Sequence, residues 1–260
     1  MQWRRPTTGL LLQLFVVAAL YYGAARLSLD LSLVGQSVTP LWLPTGIALV
    51  AVWSGGYRLW PAVYIAAFAV NLPISPTPQT ALAIAVGNTA APLVAARLLH
   101  ATAFRSTLGR PRDALALVGS ALTSTTISAW VGTSALVVSG AVLRGHFGST
   151  WLVWWTGDAM GMLLVAPFVW SLWPLPRTMR WRAVGEAVLL DAAVVGAVVL
   201  AVRVQTPILF IVVPLIIWLA WRFQQPGAAP AGLLASIVVT LAAVDGTGKF
   251  AHLSVANRMV

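Results

Sequence analysis

The chain has no cysteine, three histidines and six acidic residues among its 260. Without cysteine there is no disulfide, no thiolate nucleophile and no Cys-ligated metal. His100, His146 and His252 do not fall into a His-Glu-x-x-His pattern, so that zinc helix is missing. No Gly-x-Ser-x-Gly nucleophile elbow occurs. Gly246-Thr-Gly-Lys249 comes near a phosphate loop but fails as one. Ala243 stands where the first glycine should be, and Phe250 follows the lysine. These gaps leave no catalytic residue, metal or cofactor to assign, and the chain reads as a non-enzyme.

Charge is scarce as well. Charged residues make up 8% of the chain, against about 25% in soluble domains. Hydrophobic residues make up 59%, and mean hydropathy is +0.87. The class that fits is an all-α, polytopic transmembrane bundle, with no segment of ordinary globular composition. The net charge of +10 does not point to nucleic acid, because the basic residues lie between apolar runs and form no patch on a soluble face.

Apolar periodicity and breakers predict about nine spans, within a range of eight to ten. They cover about 8–29, 41–56, 60–72, 80–103, 113–141, 149–173, 185–203, 206–221 and 230–245. Arg4 and Arg5 before the first run resemble a signal peptide, but the run from Leu10 to Leu29 is too long for one and reads as a retained helix. The second and third spans are at or below the usual minimum of about 17 residues. With the N-terminus cytoplasmic, the inner loops hold Arg4, Arg5, Arg58, Arg105, Arg110, Arg112, Arg177, Arg180, Arg182 and Arg222. The outer loops hold Arg26, Arg144 and Arg203, so each basic cluster falls inside. Nine spans then leave Val260 outside with Lys249 and Arg258, unless the last helix is re-entrant.

The polar residues within the runs are the candidates for function. Asp158 lies inside Trp151–Trp170, a stretch apolar enough to cross a bilayer. A carboxylate at that depth costs about 2.5–3.5 kcal/mol on insertion scales, so something must compensate it. No arginine lies at equal depth, which points to neutral partners: Asn88, indole N–H groups, the hydroxyls of the fifth helix, water or a ligand. Asp158 reads either as a ligand, ion or proton-linked site or as a structural anchor. Trp154 precedes it by four residues, on the same helix face, with Trp155 beside it. Gly157 and Gly161 form a Gly-x-x-x-Gly pair that invites close approach of another helix. Gly87 and Ala91, with Ala95, make a similar face next to Asn88. The expectation is that the fourth and sixth helices pack together there. Asn71 reads first as glue between helices. Arg97 and His100 read as interfacial, and Asp191 as salt-linked near Glu186 and Arg177–Arg182. Pro44, Pro167 and Pro214 are expected to kink their helices and free carbonyls to line a cavity.

Several of these residues follow one another in a distinctive order. Trp42-Leu-Pro44-Thr-Gly46, Trp60-Pro61, Asn71 and Gly87-Asn88 come first. Trp154-Trp155-x-Gly157-Asp158-Ala-x-Gly161, Pro167 and Gly246-x-Gly248-x-Phe250 follow. The combination resembles the MASE1 integral membrane sensory domain of bacteria over nearly the whole chain. The resemblance implies one sensor domain over 1–260 in the bacterial inner membrane. It would serve as the input of a histidine kinase or a cyclic-di-GMP enzyme. Members generally continue into a further membrane helix and an output domain, and the chain stops at Val260 without them.

The function expected is perception of a ligand or membrane cue and its transmission to a cytoplasmic output module, in cis or in a partner. Asp158, Trp154, Trp155, Asn88, Asn71 and Trp42 would line the site. Gly157, Gly161, Gly87, Ala91, Pro44 and Gly46 would pack the helices. Partners are the lipid bilayer, the output domain or a partner protein, and a second copy in a homodimer. The alternative is a small transporter or channel using Asp158 for a proton or cation, although no inverted repeat is visible. An integral membrane enzyme using Asp158 with His146 or His100 is a third reading.

Overall fold

The computed structural model describes residues 7–30, 39–172, 181–204 and 208–244. Within them lie α1 (Thr7–Asp30), α2 (Leu43–Gly55), α3 (Trp60–Asn71), α4 (Pro78–Ala101), α5 (Pro111–Val138), α6 (Phe147–Ser171), α7 (Trp181–Arg203), α8 (Val212–Phe223) and α9 (Gln225–Val244), and no strand. Arg4, Arg5, Arg177, Arg180 and the Gly246–Phe250 motif lie outside the described residues, as do Lys249, His252 and Arg258.

Proline and glycine set many of the boundaries. Proline occupies the first turn of α2, α3, α4 and α5, where its missing N–H costs no intrahelical bond. Thr77 caps α4 by accepting the Thr80 N–H at 3.2 Å. Gly56, with φ +95°, ends α2, a backbone conformation that a Cβ would strain. The lead to α5 is tied by Asp113, which accepts the Arg105 N–H at 3.1 Å and Arg110 Nε at 2.7 Å.

Nine helices of the described residues match the expected order, but nine spans do not follow from them. Six of the described helices are long and apolar enough to cross a membrane: α1, α4, α5, α6, α7 and α9. α2 and α3 have 13 and 12 residues. They are about 20 Å long at 1.5 Å per residue, short of the roughly 30 Å hydrocarbon core. α8 has 12 residues and follows a 3-10 turn at Ile208–Ile211. Two expected kinks are also absent. Pro44 and Pro214 sit in the first turns of α2 and α8, where they start a helix without bending one. Only Pro167 of the three lies inside its helix. The break expected at Pro226–Pro230 falls two residues earlier, at Gln224 with φ +57°. α9 therefore contains Pro230.

The residues fall into two compact units, Met1–Arg105 with Gly109–Ala166, and Ser106–Leu108 with Pro167–Val260. The first is built around α1–α6. Tyr21, Ala25, Trp42, Ala48, Val63, Ala66, Ala67, Val70 and Ala85 form one buried cluster. Ile84, Ala129, Leu136 and Trp154 form another. Alanine and valine dominate because lipid supplies no hydrophobic drive between helices. Close van der Waals approach must hold them instead. Large apolar residues such as Phe15, Leu115, Val138 and Ile65 point outward, as lipid allows. In the second unit, Val194, Val198 and Val202 of α7 pack with Val212 and Leu219 of α8 and Ala231 of α9. Glu186 pairs there with Arg222 at 3.4 Å. Asp191 Oδ1 has no hydrogen-bond partner among the described residues, and the Arg177, Arg180 and Arg182 side chains expected to link to it lie outside them.

The closest contacts of the first unit are made by backbone. A Cβ on Gly157 would land on the Thr39 carbonyl, one on Gly161 on the Trp42 carbonyl, and one on Gly46 on the Gly161 carbonyl. Gly161→Ala is therefore expected to destabilise the fold by about 1–3 kcal/mol through overpacking. Gly119→Ala, where a Cβ meets nothing within 4 Å, should be neutral or gain up to about 1 kcal/mol of helix propensity. Comparative unfolding of the two variants in detergent checks this, and equal stabilities would refute the backbone contact.

Candidate functional site

Asp158 sits near the middle of α6 and is 1% exposed. Its carboxylate accepts a 2.6 Å hydrogen bond from Thr45 Oγ1 in the first turn of α2. A second comes from Ser128 Oγ of α5. The Trp154 indole lies beside it one turn earlier on α6. Among the described residues no lysine, arginine or histidine pairs with it. Its compensation is neutral, as the arrangement of arginines at helix ends predicts.

The start of α2 completes that compensation. The segment before it, residues 39–42, is not helical and runs against the middle of α6. Irregular backbone at this depth is tolerated only where protein satisfies it. Trp42 N–H donates to the Gly157 carbonyl at 3.0 Å. Leu43 N–H donates to Ser28 Oγ of α1 at 3.0 Å. Pro44 has no N–H, and Thr45 N–H reaches the Trp42 carbonyl at 3.4 Å. The donors that a helix N-terminus leaves unpaired are thus met mainly by other helices. No side chain of α2 caps it. The N-terminus carries partial positive charge, and Asp158 lies beside it.

The remaining candidates divide into those gathered here and those held elsewhere. Trp42 is buried, and its indole lies beside the Tyr21 hydroxyl of α1, as does the Asn88 side chain of α4. Tyr21 also feels the Asp158 charge. Tyr21 Oη, Trp42 Nε1 and Asn88 Oδ1 are buried without a hydrogen-bond partner among the described residues. Trp154 lays its ring over Gly132 of α5, where a Cβ would collide with it. Trp155 donates from Nε1 to the Leu122 carbonyl at 2.9 Å. It also stacks on Trp151, with ring centroids 5.7 Å apart, so it fastens α6 to α5 away from the carboxylate. Asn71 donates to the Ala67 carbonyl of its own helix at 2.8 Å.

The small-residue faces meet partners other than those expected. Gly157 and Gly161 receive the segment before α2, and Gly46 closes on Gly161. Gly87 packs on α5, where its Cβ would lie 3.1 Å from Val131. Ala91 is fully buried on α4, and Pro44 is buried at the start of α2. His100 lies over Trp53, with centroids 5.9 Å apart. Among the described residues, no three side chains of metal-ligating type converge. Tyr21, Thr45 and Ser28 are members of the centre that the sequence did not single out. A tyrosine and a serine in the first apolar run were the signals for two of them. Thr45 stood inside the Trp-x-Pro-x-Gly element itself.

The family model for MASE1 matches residues 12–260, almost the full chain. The chain belongs to the MASE1 family. No curated protein and no solved structure matches it. MASE1 is a membrane-associated sensory domain of signalling proteins, an input domain rather than a catalytic one. Six apolar helices able to span a bilayer accord with a membrane protein. The elements Trp42-x-Pro44-x-Gly46 and Trp154-Trp155-x-Gly157-Asp158 face each other across the α2–α6 contact. Thr45→Val should cost about 0.6–2 kcal/mol of stability in the wild-type background. In an Asp158→Ala background it should cost much less. A double-mutant cycle in detergent measures the coupling, and additivity would show that the bond contributes nothing.

Proposed function

We propose that this MASE1 domain acts as one sensor over 12–260 in the bacterial inner membrane, N-terminus cytoplasmic. It receives its stimulus at the Asp158 centre and passes it to a cytoplasmic output module, a histidine kinase or cyclic-di-GMP enzyme, in cis or in a partner. The observation that carries this reading is the buried Asp158 holding three helices by bonds to neutral groups, with no charged partner among the described residues: α6, which bears it, α2 through Thr45 and α5 through Ser128. A centre held this way changes its contacts with small displacements, because each bond depends on a single hydroxyl. Trp42, Trp154, Asn88 and Tyr21 surround it and would sense a shift of any one helix. A stimulus biases such a bundle only through its different affinity for two arrangements.

The C-terminal unit offers an attachment for an onward signal. In it Gln225 Nε2, at the start of α9, donates to the Pro167 carbonyl at 2.9 Å. Pro167 lies inside α6, the helix that carries Asp158 further back.

The experiment is Asp158→Asn in the full-length signalling protein. Membrane insertion and folding, followed by protease protection and detergent unfolding, should persist, while output in response to stimulus is lost. Undiminished signalling in a folded variant would remove Asp158 from the reception site.

A further inference from the structure

The hydrogen-bond geometry around Asp158 poses a counting problem. The Ser128 hydroxyl reaches two acceptors: the Asp158 carboxyl oxygen Oδ2, and the Thr125 carbonyl at 3.1 Å on its own helix. A hydroxyl has one proton, so it donates fully to one of them at a time. Thr45 reaches only the other carboxyl oxygen, Oδ1, at 2.6 Å.

We propose that Asp158 is a proton-binding site whose occupancy is read by the Ser128 hydroxyl. With the carboxylate ionised, Thr45 donates to Oδ1 and Ser128 donates to Oδ2. The Thr125 carbonyl then keeps only its helical bond. With a proton on Oδ2, the carboxyl O–H donates to Ser128 Oγ, and the Ser128 proton turns to the Thr125 carbonyl. Thr45 still donates to Oδ1. Every donor has an acceptor in both states, and the states differ by one proton exchanged with water. Oδ2 is the protonated oxygen because Ser128 has an onward acceptor.

The surroundings suit a proton. The groups facing Asp158 are Tyr21 from α1, Thr45 from α2, Ser128 from α5 and Trp154 from α6, with Asn88 of α4 beside Tyr21. Among the described residues none of these carries a charge, and Tyr21 is the one other titratable group. A charge buried without a counter-ion is the state that protonation relieves.

The readout runs along α5. A serine that bonds to a carbonyl one turn back bends its helix slightly. Protonation therefore favours a bend at Thr125–Ser128. Gly132, one turn further on, is the seat of the Trp154 ring. The proposal supplies a stimulus for the reception reading above and rests on Asp158 being the responsive centre.

Infrared difference spectroscopy of the purified protein in lipid vesicles, between acid and alkaline buffer, tests it. A carboxylic-acid C=O band should appear on acidification and be lost in Asp158→Asn. Ser128→Ala removes the acceptor of the acid proton, so the band should move to higher frequency. Ser128→Thr should restore its position, and Tyr21→Phe should leave the band in place. Any acid band that survives in Asp158→Asn and vanishes in Asp191→Asn belongs to Asp191 of α7. If Asp158→Asn does not fold, the alanine and threonine variants at Ser128 carry the test. A band absent at every pH, insensitive to Asp158→Asn or unmoved by Ser128→Ala overturns the proposal. These spectra read protonation whether or not the protein signals. Loss of signalling in Asp158→Asn without an acid band would leave the reception reading standing and remove the proton.

Discussion

The first unit depends on how a single carboxylate is kept in a low-dielectric interior. Asp158 has no cation beside it among the described residues. Thr45, Ser128 and the Trp154 indole surround it instead, at the start of α2. That solution dictates the shape of α2. A helix whose positive end must lie beside a carboxylate at the middle of α6 begins at that depth, so 13 residues suffice for it. The short second helix is a consequence of where it starts.

Bringing a helix start to the flank of another helix demands room at the backbone. Gly157, Gly161 and Gly46 supply it. The glycine pair brackets Asp158 because the residues flanking the carboxylate face the incoming chain. A Cβ at either glycine would push the Thr39–Leu43 backbone away and lengthen the Thr45 bond. Glycine and aspartate therefore act as a unit: glycine sets the approach and aspartate rewards it. The same logic explains why Trp42 donates its backbone N–H to Gly157. Backbone N–H and C=O groups carried into the membrane must find partners within the protein.

The sequence made the helices legible because apolar runs and prolines are one-dimensional signals. Among the described residues nine helices stand in the expected order, with Pro61, Pro78 and Pro111 near their starts. The span count was less legible. Hydropathy measures composition, and α2 and α3 have the composition of a span without its length. Asp158 stood out because a charge in an apolar run is conspicuous. The hydroxyl partner on the fifth helix was foreseeable from its run of serines and threonines, of which Ser128 is the member that reaches Asp158. Tyr21 and Thr45 were not, since their roles arise from pairing across long stretches of chain. Thr45 and Asp158 are 113 residues apart. The partner of Gly157 and Gly161 was misread for a similar reason. Small residues announce that something approaches closely, and they do not say whether it is a helix or the extended segment before one.

The same geometry bears on the choice between sensing and transport. A transport site must open to water on each side in turn, which would require parting the α2–α6 contact. That contact is backbone on glycine, with Asp158 sealed beneath it at 1% exposure. Parting it would break the Trp42 N–H and Thr45 hydroxyl bonds together, a net cost of about 0.5–3 kcal/mol for each even with water in their place. A sensor needs only a change in which hydroxyl faces which acceptor, with the backbone contact intact. The tightness that would hinder passage of a solute thus serves a sensor, because it confines the response to side-chain rotors and to the helices they hold.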